Sequence, residues 1–421
     1  MRDVIALIMA GGKGERLYPL TQDRSKPAVP FGGIYRIIDV TLSNCINSMI
    51  YKIIVLPQYK AQSLVEHIEA GWNIFSYALG HYLKVVPPQM RTGNRWYQGT
   101  ADSVRQNLYL IERDTPKHVL ILSGDHVYKM DYSRLRKYHE ETGADITISV
   151  VEVPISEAHR FGIVRVDDQY RILGFQEKPS QPASIPGDPD HALASMGIYM
   201  FNTGALLDML KSSHEDDFGK HIIPQSMDKY ALCAFPYKKE NRIEDFVYRI
   251  NDDGSRVRVL DPHVHDSSYW RDVGDLDAYW NANMDLTGVN PGFNMYGTKW
   301  PLRTFQAQYP PVKTVFQTRD ASRTGMALDS IVSHGSIISG GVVKNSVLSY
   351  NVMVRSWADV RESVIMSDVE IGRHCRIIKA IIDKKNIIPP GTEIGYDPNE
   401  DRKKFTVTPR GIVVIPKKTF T

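Results

Sequence analysis

A glycine-rich segment flanked by two basic residues is the part of this sequence whose residue types best fit chemistry. The apolar run 4–9 predicts a buried parallel strand, and three glycines follow it at once: Gly11, Gly12 and Gly14. Because glycine has no Cβ, the backbone N–H groups of such a loop can close around an anion. Arg16 and Lys26 would add positive charge from either side. The segment therefore predicts triphosphate binding at the carboxyl end of a first strand, where open α/β sheets bind ligands.

Two common glycine-loop patterns do not fit this segment. The dinucleotide fingerprint requires a third glycine where Leu17 stands, and the P-loop pattern requires a lysine where Glu15 follows Gly14. An ordinary tight turn after a strand remains the alternative interpretation. The Arg16 and Lys26 pair favours phosphate.

Two aspartates indicate a metal site. Asp125 follows the apolar run 119–122 through a glycine, and Asp272 lies in the aromatic segment 269–274. Mg²⁺ usually takes one or two protein carboxylates and completes its shell with substrate phosphates and water. We therefore expect Asp125 and Asp272 to hold Mg²⁺, with His126 supporting Asp125. Each aspartate on its own could equally be a helix cap or a turn residue.

A second group of residues could recognise a sugar phosphate. Lys178 follows a strand-like segment and precedes a proline, so its ammonium group could meet a phosphate as a compact charge. Glu177 could accept hydrogen bonds from sugar hydroxyls, and Ser195 offers a hydroxyl close to Gly197. The alternatives are a surface Glu–Lys pair and a core strand with a bulge.

The segment 96–102 places aromatic residues and a glycine directly before a predicted helix. A base or ribose could pack there, with Gln98 or Thr100 donating hydrogen bonds. The segment could also be a hydrophobic staple with a threonine cap, and both interpretations can hold together.

The bulk composition narrows the function classes. The chain has 421 residues, 42% hydrophobic and 24% charged, with a net charge of +3, which is typical of a soluble enzyme of two domains. This small charge gives no reason to expect nucleic acid or a membrane surface as a partner. Three widely spaced cysteines fit neither a disulfide framework nor a zinc site. The start has no secretory pattern and no apolar stretch approaches ~20 residues, so we expect a cytoplasmic protein without a membrane span.

Alternating strand-like and helix-like segments predict a doubly wound, mostly parallel α/β sheet with helices on both faces. The predicted helices are 39–48, 62–70, 101–112 and 131–141, and the predicted strands are 4–9, 52–56, 119–122 and 145–153. The segment 162–199 is rich in strand-like sequence. Prolines between 291 and 311 predict a linker over about 291–325 that wraps the surface.

The last hundred residues have an apolar repeat. Apolar residues recur in triplets with steps of six, and a step of five joins one triplet to the next, so that each turn takes 17 residues. The triplets are Ile331, Ile337 and Val343; Leu348, Val354 and Val360; Ile365, Ile371 and Ile377; and Ile382, Ile388 and Ile394. This period predicts a three-sided parallel β-helix over 326–421 whose apolar residues stack in ladders.

Together these motifs resemble the sugar-1-phosphate nucleotidyltransferases and, within them, the bacterial glucose-1-phosphate adenylyltransferases. The resemblance covers nearly the whole chain, and its most specific strings are 96–102 and 269–274. The other segments that carry it are the glycine loop, 26–29, 36–39, 123–126, 177–179, 194–197 and 217–220.

The resemblance implies a Rossmann-like nucleotidyltransferase domain over 1–290 and a left-handed β-helix after the linker. It implies that ATP and glucose 1-phosphate give ADP-glucose and pyrophosphate, which supplies glycogen synthesis, in a homotetramer controlled by anionic effectors such as sugar phosphates or AMP. The catalytic residues implied are Arg16, Lys26, Asp125 and Asp272, the last two on Mg²⁺. The triphosphate and nucleotide residues are Gly11, Gly12, Gly14, Arg16, Lys26, Tyr97, Gly99 and Thr100, and the sugar phosphate residues are Gly162, Glu177, Lys178 and Ser195.

Two positions depart from the pattern of the family. Asp23 and Ile34 stand where activator-responsive members often carry basic residues, so the identity of the activator is open, although Arg24 and Arg36 remain as cations. Three other functions stay open at this point. One is a pyrophosphorylase that uses UTP, GTP or dTTP, another is a non-catalytic regulatory subunit of the same fold, and the third is an acyltransferase built on the β-helix, which the lack of an acceptor domain disfavours.

Overall fold

A computed structural model describes residues 1–90, 96–316 and 323–421 of the chain. The helices are α1 (Ile37–Asn47), α2 (Gln62–Gly71), α3 (Thr100–Arg105), α4 (Leu108–Asp114), α5 (Tyr132–Thr142), α6 (Thr203–Ser212), α7 (Ile223–Ser226), α8 (Tyr237–Glu240), α9 (Leu276–Met284) and α10 (Pro398–Lys404).

The strands of the N-terminal part are β1 (Val4–Ala10), β2 (Pro30–Phe31), β3 (Tyr35–Arg36), β4 (Lys52–Pro57), β5 (Tyr82–Val85), β6 (His118–Ser123), β7 (His126–Tyr128), β8 (Ile146–Pro154), β9 (Gly162–Val166), β10 (Ile172–Glu177), β11 (His191–Asn202), β12 (Leu232–Pro236), β13 (Asp245–Ile250), β14 (Arg256–Asp261) and β15 (Trp270–Asp272).

The strands of the C-terminal part are β16 (Lys313–Val315), β17 (Met326–Leu328), β18 (Ile331–Val332), β19 (Ile337–Ser339), β20 (Val342–Lys344), β21 (Val347–Leu348), β22 (Met353–Val354), β23 (Asp359–Arg361), β24 (Val364–Ile365), β25 (Glu370–Ile371), β26 (Arg376–Ile378), β27 (Ala380–Ile382), β28 (Ile387–Ile388), β29 (Glu393–Ile394), β30 (Thr406–Val407) and β31 (Val413–Ile415).

The N-terminal sheet is parallel around β1 and antiparallel around β11. Among the described residues it has nine strands, with the order β10-β9-β11-β6-β1-β4-β5 and with β8 and β12 continuing from β11. Strand β1 pairs in parallel with β4 and β6, whereas the long strand β11 runs antiparallel to β6 and β8. The central strands are almost wholly apolar and are buried on both faces, as a sheet covered by helices requires.

One predicted helix of this part is wrong. The segment 101–112 is not continuous but forms α3 and α4, which are separated at Gln106 and Asn107. The Asn107 amide donates hydrogen bonds to the backbone oxygen of Ser103 and to the hydroxyl of Tyr97, both at 2.8 Å. Polar side chains that bond nearby groups in this way compete with the helical hydrogen-bond ladder, which explains the break.

The C-terminal part is a three-sided parallel β-helix. Its three sheets have the orders β16-β19-β22-β25-β28, β17-β20-β23-β26-β29 and β18-β21-β24-β27-β31-β30. The three later triplets of the predicted repeat are all buried in one apolar core. Identical side-chain positions therefore stack from coil to coil, as the 17-residue period predicts.

The first turn of the β-helix differs from the prediction. Val332 pairs with Leu348 and Ile338 pairs with Val354, so Val332 and Ile338 occupy the ladder positions that were assigned to Ile331 and Ile337. A shift of one residue in a strand turns the side chain to the other face, and only the burial pattern can identify the inward residue. Ile338 is fully buried, whereas Ile337 is not.

The β-helix also begins and ends differently from the predicted range 326–421. Strand β16 already pairs in parallel with β19, so the first coil starts at Lys313, inside the predicted linker. Near the other end, helix α10 and the antiparallel strand β30 interrupt the parallel coils. These differences arise because the apolar period is absent from both segments.

The linker segment is fixed to the N-terminal part by side-chain hydrogen bonds. Trp300 donates from its indole nitrogen to the Asn44 side chain at 2.9 Å, and the Thr304 hydroxyl donates to the buried Asp39 carboxylate at 2.7 Å. Both acceptors lie on α1. This segment therefore packs against the N-terminal part along α1.

The two parts of the chain share a tightly packed interface. Val364, Ile381 and Val414 of the β-helix belong to the same apolar cluster as the core around β1. In this interface the Arg24 guanidinium lies 2.5 Å from the Asp383 carboxylate, and both side chains are nearly inaccessible to solvent. The β-helix is thus joined to the N-terminal part by a buried ion pair as well as by apolar contact.

Within the described residues, no helix combines the length and the apolar character that a membrane crossing demands. All three cysteines are buried and unbridged.

Removal of Arg24 tests the buried ion pair. Arg24→Met leaves the Asp383 carboxylate buried without its cation, which costs about 3 kcal/mol and should lower the midpoint of thermal unfolding by about 5 °C. Scanning calorimetry of wild type and variant measures this shift. The double variant Arg24→Met with Asp383→Leu is the matched control and should recover most of the loss. A single variant as stable as wild type would show that the pair contributes nothing.

Candidate active site

The predicted phosphate and metal residues meet at the carboxyl ends of β1 and β6. The glycine loop follows β1, and Asp125 follows β6 by two residues. Asp272 ends β15, whose antiparallel pairing with β7 places it directly opposite His126. The fold thus brings together residues from the glycine loop near the start of the chain, from the end of β6 and from the end of β15.

Lys26 lies between the two aspartates. Its Nζ is 2.7 Å from Asp125 Oδ2 and 3.6 Å from Asp272 Oδ1, and the lysine side chain is 10% exposed. Burial opposes the positive charge, but the two carboxylates more than offset it and raise the pKa of Lys26 above its ordinary value. Lys26 is therefore a fixed cation at neutral pH.

Asp125 is held in its ionised form. Burial alone would raise its pKa, but Lys26 and then His126 hold the pKa well below its usual range. The Ser123 hydroxyl also donates a hydrogen bond to this carboxylate. The backbone approach depends on Gly124, because a Cβ there would lie 2.9 Å from Ile38 Cδ1 and 3.0 Å from Ile8 Cγ2.

His126 supports both carboxylates, and the sequence indicated its support of Asp125. Its Nε2 lies 3.5 Å from Asp125 Oδ1 and 3.7 Å from Asp272 Oδ1. The ring contacts Trp270 edge to face, with centroids 5.3 Å apart. This contact fixes the ring beside the two carboxylates.

Two glycines of the loop have different roles: Gly14 adopts a backbone conformation that favours glycine, and Gly12 leaves the backbone open to solvent. Gly14 has φ of +66°, which only glycine adopts readily, and its carbonyl accepts a hydrogen bond from the Thr21 hydroxyl at 2.8 Å. A Cβ on Gly12 would meet nothing within 4 Å, so this backbone faces open space. A Cβ on Gly274 would lie 2.7 Å from Asp272 Oδ2 and 3.2 Å from Arg16 Nη2, which places Arg16 at the same edge as Asp272.

The predicted nucleotide residues divide into two groups. The Tyr97 ring is buried, and its hydroxyl accepts from Asn107, so this side chain belongs to the core. The Thr100 hydroxyl lies 3.4 Å from Asp217 Oδ2 and accepts from the backbone N–H of Phe218, which joins the start of α3 to the turn at 217–220. Gln58 was missed by the sequence reasoning. Its side chain lies 3.2 Å from where a Gly11 Cβ would be, and it donates to the backbone oxygen of Tyr97 at 2.5 Å.

The predicted sugar residues lie around Glu177. A Cβ on either Gly162 or Gly219 would lie 3.0 Å from Glu177 Oε2, so the two glycines make room for this carboxylate. Lys178 has φ of +46°, and its Nζ is 3.4 Å from Glu177 Oε1 with the side chain 62% exposed. The strained backbone turns this lysine toward solvent, where it can meet an incoming anion.

Strand β11 connects the sugar residues with the metal residues. Ser195 donates to the hydroxyl of Tyr199 at 3.4 Å, and burial, together with the charges of Glu177 and Asp217, raises the pKa of Tyr199 to about 12. A bulge lies between these residues, as the alternative interpretation of this segment predicted. A Cβ on Gly197 would lie 3.5 Å from the Cβ of Ser123 and 3.8 Å from His126 Cε1, so both groups line one cleft.

The donor set fits a hard divalent cation. Within the described ranges, no cluster of three or more His, Cys, Asp or Glu side chains could hold a metal ion by itself. Asp125 and Asp272 offer two carboxylates at an edge that also carries the open glycine loop. Two protein carboxylates completed by phosphate oxygens and water suit Mg²⁺.

Two protein-family models match the chain, one over each of its two parts. A family model described as "Nucleotidyl transferase" matches residues 5–288, and one described as "GlmU-like, C-terminal hexapeptide" matches residues 310–415. The second match begins close to the first strand of the β-helix.

Three relatives that align over nearly the whole chain have the same protein name. Proteins named glucose-1-phosphate adenylyltransferase from Rhodopirellula baltica and Methylococcus capsulatus are each 49% identical to this chain, over 99% and 98% of it and over 90% and 93% of their own lengths. One of the same name from Koribacter versatilis is 48% identical over 99% of the chain and 96% of its own length.

Gly99, directly before α3, tests whether two backbone segments approach each other closely beside the predicted nucleotide residues. A Cβ at Gly99 would collide with the carbonyl oxygen of Asp216, a backbone atom that cannot move freely. Gly99→Ala should therefore cost about 2 kcal/mol and lower the midpoint of thermal unfolding by several degrees. Gly204→Ala in α6 is the control, since a Cβ there meets nothing within 4 Å. Equal midpoints for the two variants would contradict the close approach.

Proposed function

The chain belongs to the nucleotidyl transferase family and, within it, to the glucose-1-phosphate adenylyltransferases, and from this premise we propose how its residues act. It transfers the adenylyl group of ATP to glucose 1-phosphate, with ADP-glucose and pyrophosphate as products. The observation that carries the proposed mechanism is the convergence of Lys26, Asp125 and Asp272 beside the glycine loop. We propose that ADP-glucose then serves as glucosyl donor for glycogen and that the enzyme is cytoplasmic, which three unbridged cysteines support.

The triphosphate would be bound by the loop 11–14 together with Arg16 and Lys26. The open backbone at Gly12 supplies N–H groups, and the two side chains supply full charges near the departing pyrophosphate. Asp125 and Asp272 would hold Mg²⁺, which would neutralise phosphate charge when bound. The Lys26 ammonium lies within ion-pair distance of both carboxylates and offsets part of their charge, and it holds the pKa of Asp125 well below its usual range.

The sugar phosphate would approach from the side of Glu177 and Lys178. Glu177 accepts hydrogen bonds from sugar hydroxyls, Lys178 meets the phosphate, and Ser195 with Tyr199 completes the wall. A phosphate oxygen of the sugar then attacks the α-phosphorus in line with the departing pyrophosphate, and no covalent enzyme intermediate forms. The residues act by positioning and by charge neutralisation.

The choice of ATP rests on contacts near Gln58 and the segment 97–100, and the alternative substrates are UTP, GTP and dTTP. A pyrophosphate-release assay with glucose 1-phosphate and each of the four nucleotides tests the proposal. Turnover with ATP at least tenfold above the others supports it, and preference for another nucleotide overturns it. A non-catalytic subunit would release no pyrophosphate with any of the four nucleotides. The presence of Arg16, Lys26, Asp125, Lys178 and Asp272 argues against that alternative.

Asp125→Asn should lower kcat by at least ~10²-fold while ATP still binds, because the metal site loses an anionic ligand but the loop remains. Steady-state pyrophosphate release over a range of Mg²⁺ concentrations measures the loss. Asp228→Asn, an exposed aspartate, is the matched control. Near-normal kcat at saturating Mg²⁺ would remove Asp125 from the metal site.

Lys178→Ala should raise KM for glucose 1-phosphate about tenfold or more and leave KM for ATP almost unchanged. Its charge serves the sugar phosphate in the ground state and the transition state alike, so mainly KM responds. The control is Lys211→Ala, an exposed lysine of α6. Equal increases in both KM values would place Lys178 elsewhere.

We further propose a homotetramer under control by anionic effectors, and one cavity between the two parts of the chain supports the regulation. This cavity has a volume of about 210 Å³, and Ile34, Arg36, Tyr309, Tyr350 and Lys384 contribute to its lining. Burial, and then Arg24 and Arg36, lower the pKa of Lys384 to about 8, although Asp383 and Asp368 oppose this shift. Asp23 lies outside this lining and pairs with Lys417 at 3.3 Å. The two basic side chains of the lining, Arg36 and Lys384, would attract a phosphorylated ligand.

Ile34→Lys should lower the half-activating concentration of fructose 1,6-bisphosphate about tenfold, because it adds a cation to the cavity wall. Asp23→Lys should act in the same direction but less, since Asp23 lies outside the cavity lining and is paired with Lys417. In wild type, activation should weaken between pH 7 and pH 9, because Lys384 loses its proton as the pH rises through about 8. Activation curves that superimpose for every variant and pH would exclude this cavity as the effector site, and AMP provides a second probe.

A further inference from the structure

The hairpin formed by β13 and β14 has one exposed apolar face. Paired residues of an antiparallel ribbon lie on the same side, so Phe246 and Leu260, Tyr248 and Arg258, and Ile250 and Arg256 share this face. Phe246, Tyr248, Ile250 and Leu260 are 39%, 59%, 77% and 45% exposed. The other face packs through Val247 against Ile243, Val264 and Trp300.

Two arginines lie over the aromatic rings of this face. The Arg256 guanidinium is 4.0 Å from the ring centroid of Tyr248, and the Arg258 guanidinium is 4.1 Å from that of Phe246. Arg258 also donates to the Thr298 hydroxyl at 3.2 Å. Neither arginine forms a salt bridge with any residue that the structure describes. Because stacking occupies the faces of the guanidiniums, their N–H edges remain available for carboxylates.

The tip of the same hairpin carries the opposite charge. Asp252 and Asp253 are exposed, and hydrogen bonds from the Ser255 side chain and then from its backbone N–H lower the pKa of the Asp253 carboxyl group. Arginines on the strands and aspartates at the tip make the hairpin self-complementary in charge, which is compatible with association about a two-fold axis. When two such hairpins lie antiparallel and face to face, the tip of each one meets the strands of the other.

We propose that this face is an interface between two copies of the chain, in which Arg256 and Arg258 of each copy meet Asp252 and Asp253 of the other. A sugar chain fits less well, because the two aromatic rings on which sugars would stack are already covered by the guanidiniums. The proposal concerns assembly only and does not depend on the proposed reaction.

The hairpin face cannot form this interface by itself. Two six-residue strands with a rise of ~3.4 Å and a spacing of ~4.8 Å offer roughly 200 Å² per copy, well below the ~800 Å² per partner of a stable complex. A groove of about 670 Å³ continues the surface from Tyr248 to Val289, Tyr296 and Ile331. Val289 and Tyr296 are 87% and 74% exposed, so the groove supplies the additional apolar area.

Charge reversal on each half of the interface tests the proposal. One variant carries Arg256→Glu with Arg258→Glu, and the other carries Asp252→Lys with Asp253→Lys. In a two-fold interface each variant repels itself, but a mixture of the two attracts on both halves. We expect each variant alone to associate at least ~10²-fold more weakly than wild type in sedimentation velocity over a concentration series. The 1:1 mixture should return to the wild-type mass.

The control is Lys137→Glu with Lys211→Glu, which reverses two exposed charges on α5 and α6 and should keep the wild-type mass. Recovery in the mixture also shows that both variants are folded, and near-UV circular dichroism of each one checks this independently. Wild-type mass for either hairpin variant alone overturns the proposal. Folded variants that dissociate but fail to recover on mixing overturn it as well, because the contact would then not be two-fold.

Discussion

The arrangement of the active site depends on one buried cation. Lys26 is placed between Asp125 and Asp272, and without it two carboxylates would face each other across a partly buried cleft. Like charges that are close together repel each other, and the Lys26 ammonium between them offsets this repulsion. It holds the pKa of Asp125 well below its usual range. The lysine also borders the glycine loop, because its Cβ would lie 3.4 Å from a Cβ on Gly14. One side chain thus links the two carboxylates with the loop.

Much of this site could be predicted because its parts follow strands. The glycine loop after β1 and Asp125 after β6 lie at the same edge, since parallel strands end together. Asp272 could be selected by its aromatic surroundings, but its position opposite His126 depends on the pairing of β15 with β7, which no local pattern reveals. Gln58 was missed for a related reason. It follows β4 directly after a proline and without a glycine beside it, and only the close approach to Gly11 shows its position.

The errors of the fold prediction also arise where the local sequence does not determine which contacts a residue makes in the folded chain. The repeat of the β-helix was recognised from its period, yet in its first turn Ile337 and Ile338 are both apolar, and sequence alone cannot decide which one points inward. The helix predicted over 101–112 broke where Asn107 found partners in Ser103 and Tyr97, a tertiary arrangement that propensity does not contain. Tyr97 also shows that membership of a motif does not imply contact with a ligand, since its ring is part of the core.

Helix α1 explains how the cavity between the two parts can lie close to the chemistry. Arg36, which lines that cavity, is the residue that immediately precedes α1, and its backbone N–H donates to Asp39 at 2.8 Å. One turn further on, the Thr41 hydroxyl donates to the backbone oxygen of Ser123 at 3.2 Å, and Ile38 packs where a Cβ on Gly124 would be. The segment 123–125 that presents Asp125 therefore rests on the same helix that begins at the cavity. A ligand that shifted the backbone at Arg36 would act on the first turn of α1, and the close packing of Ile38 at Gly124 connects this turn with the segment that presents Asp125.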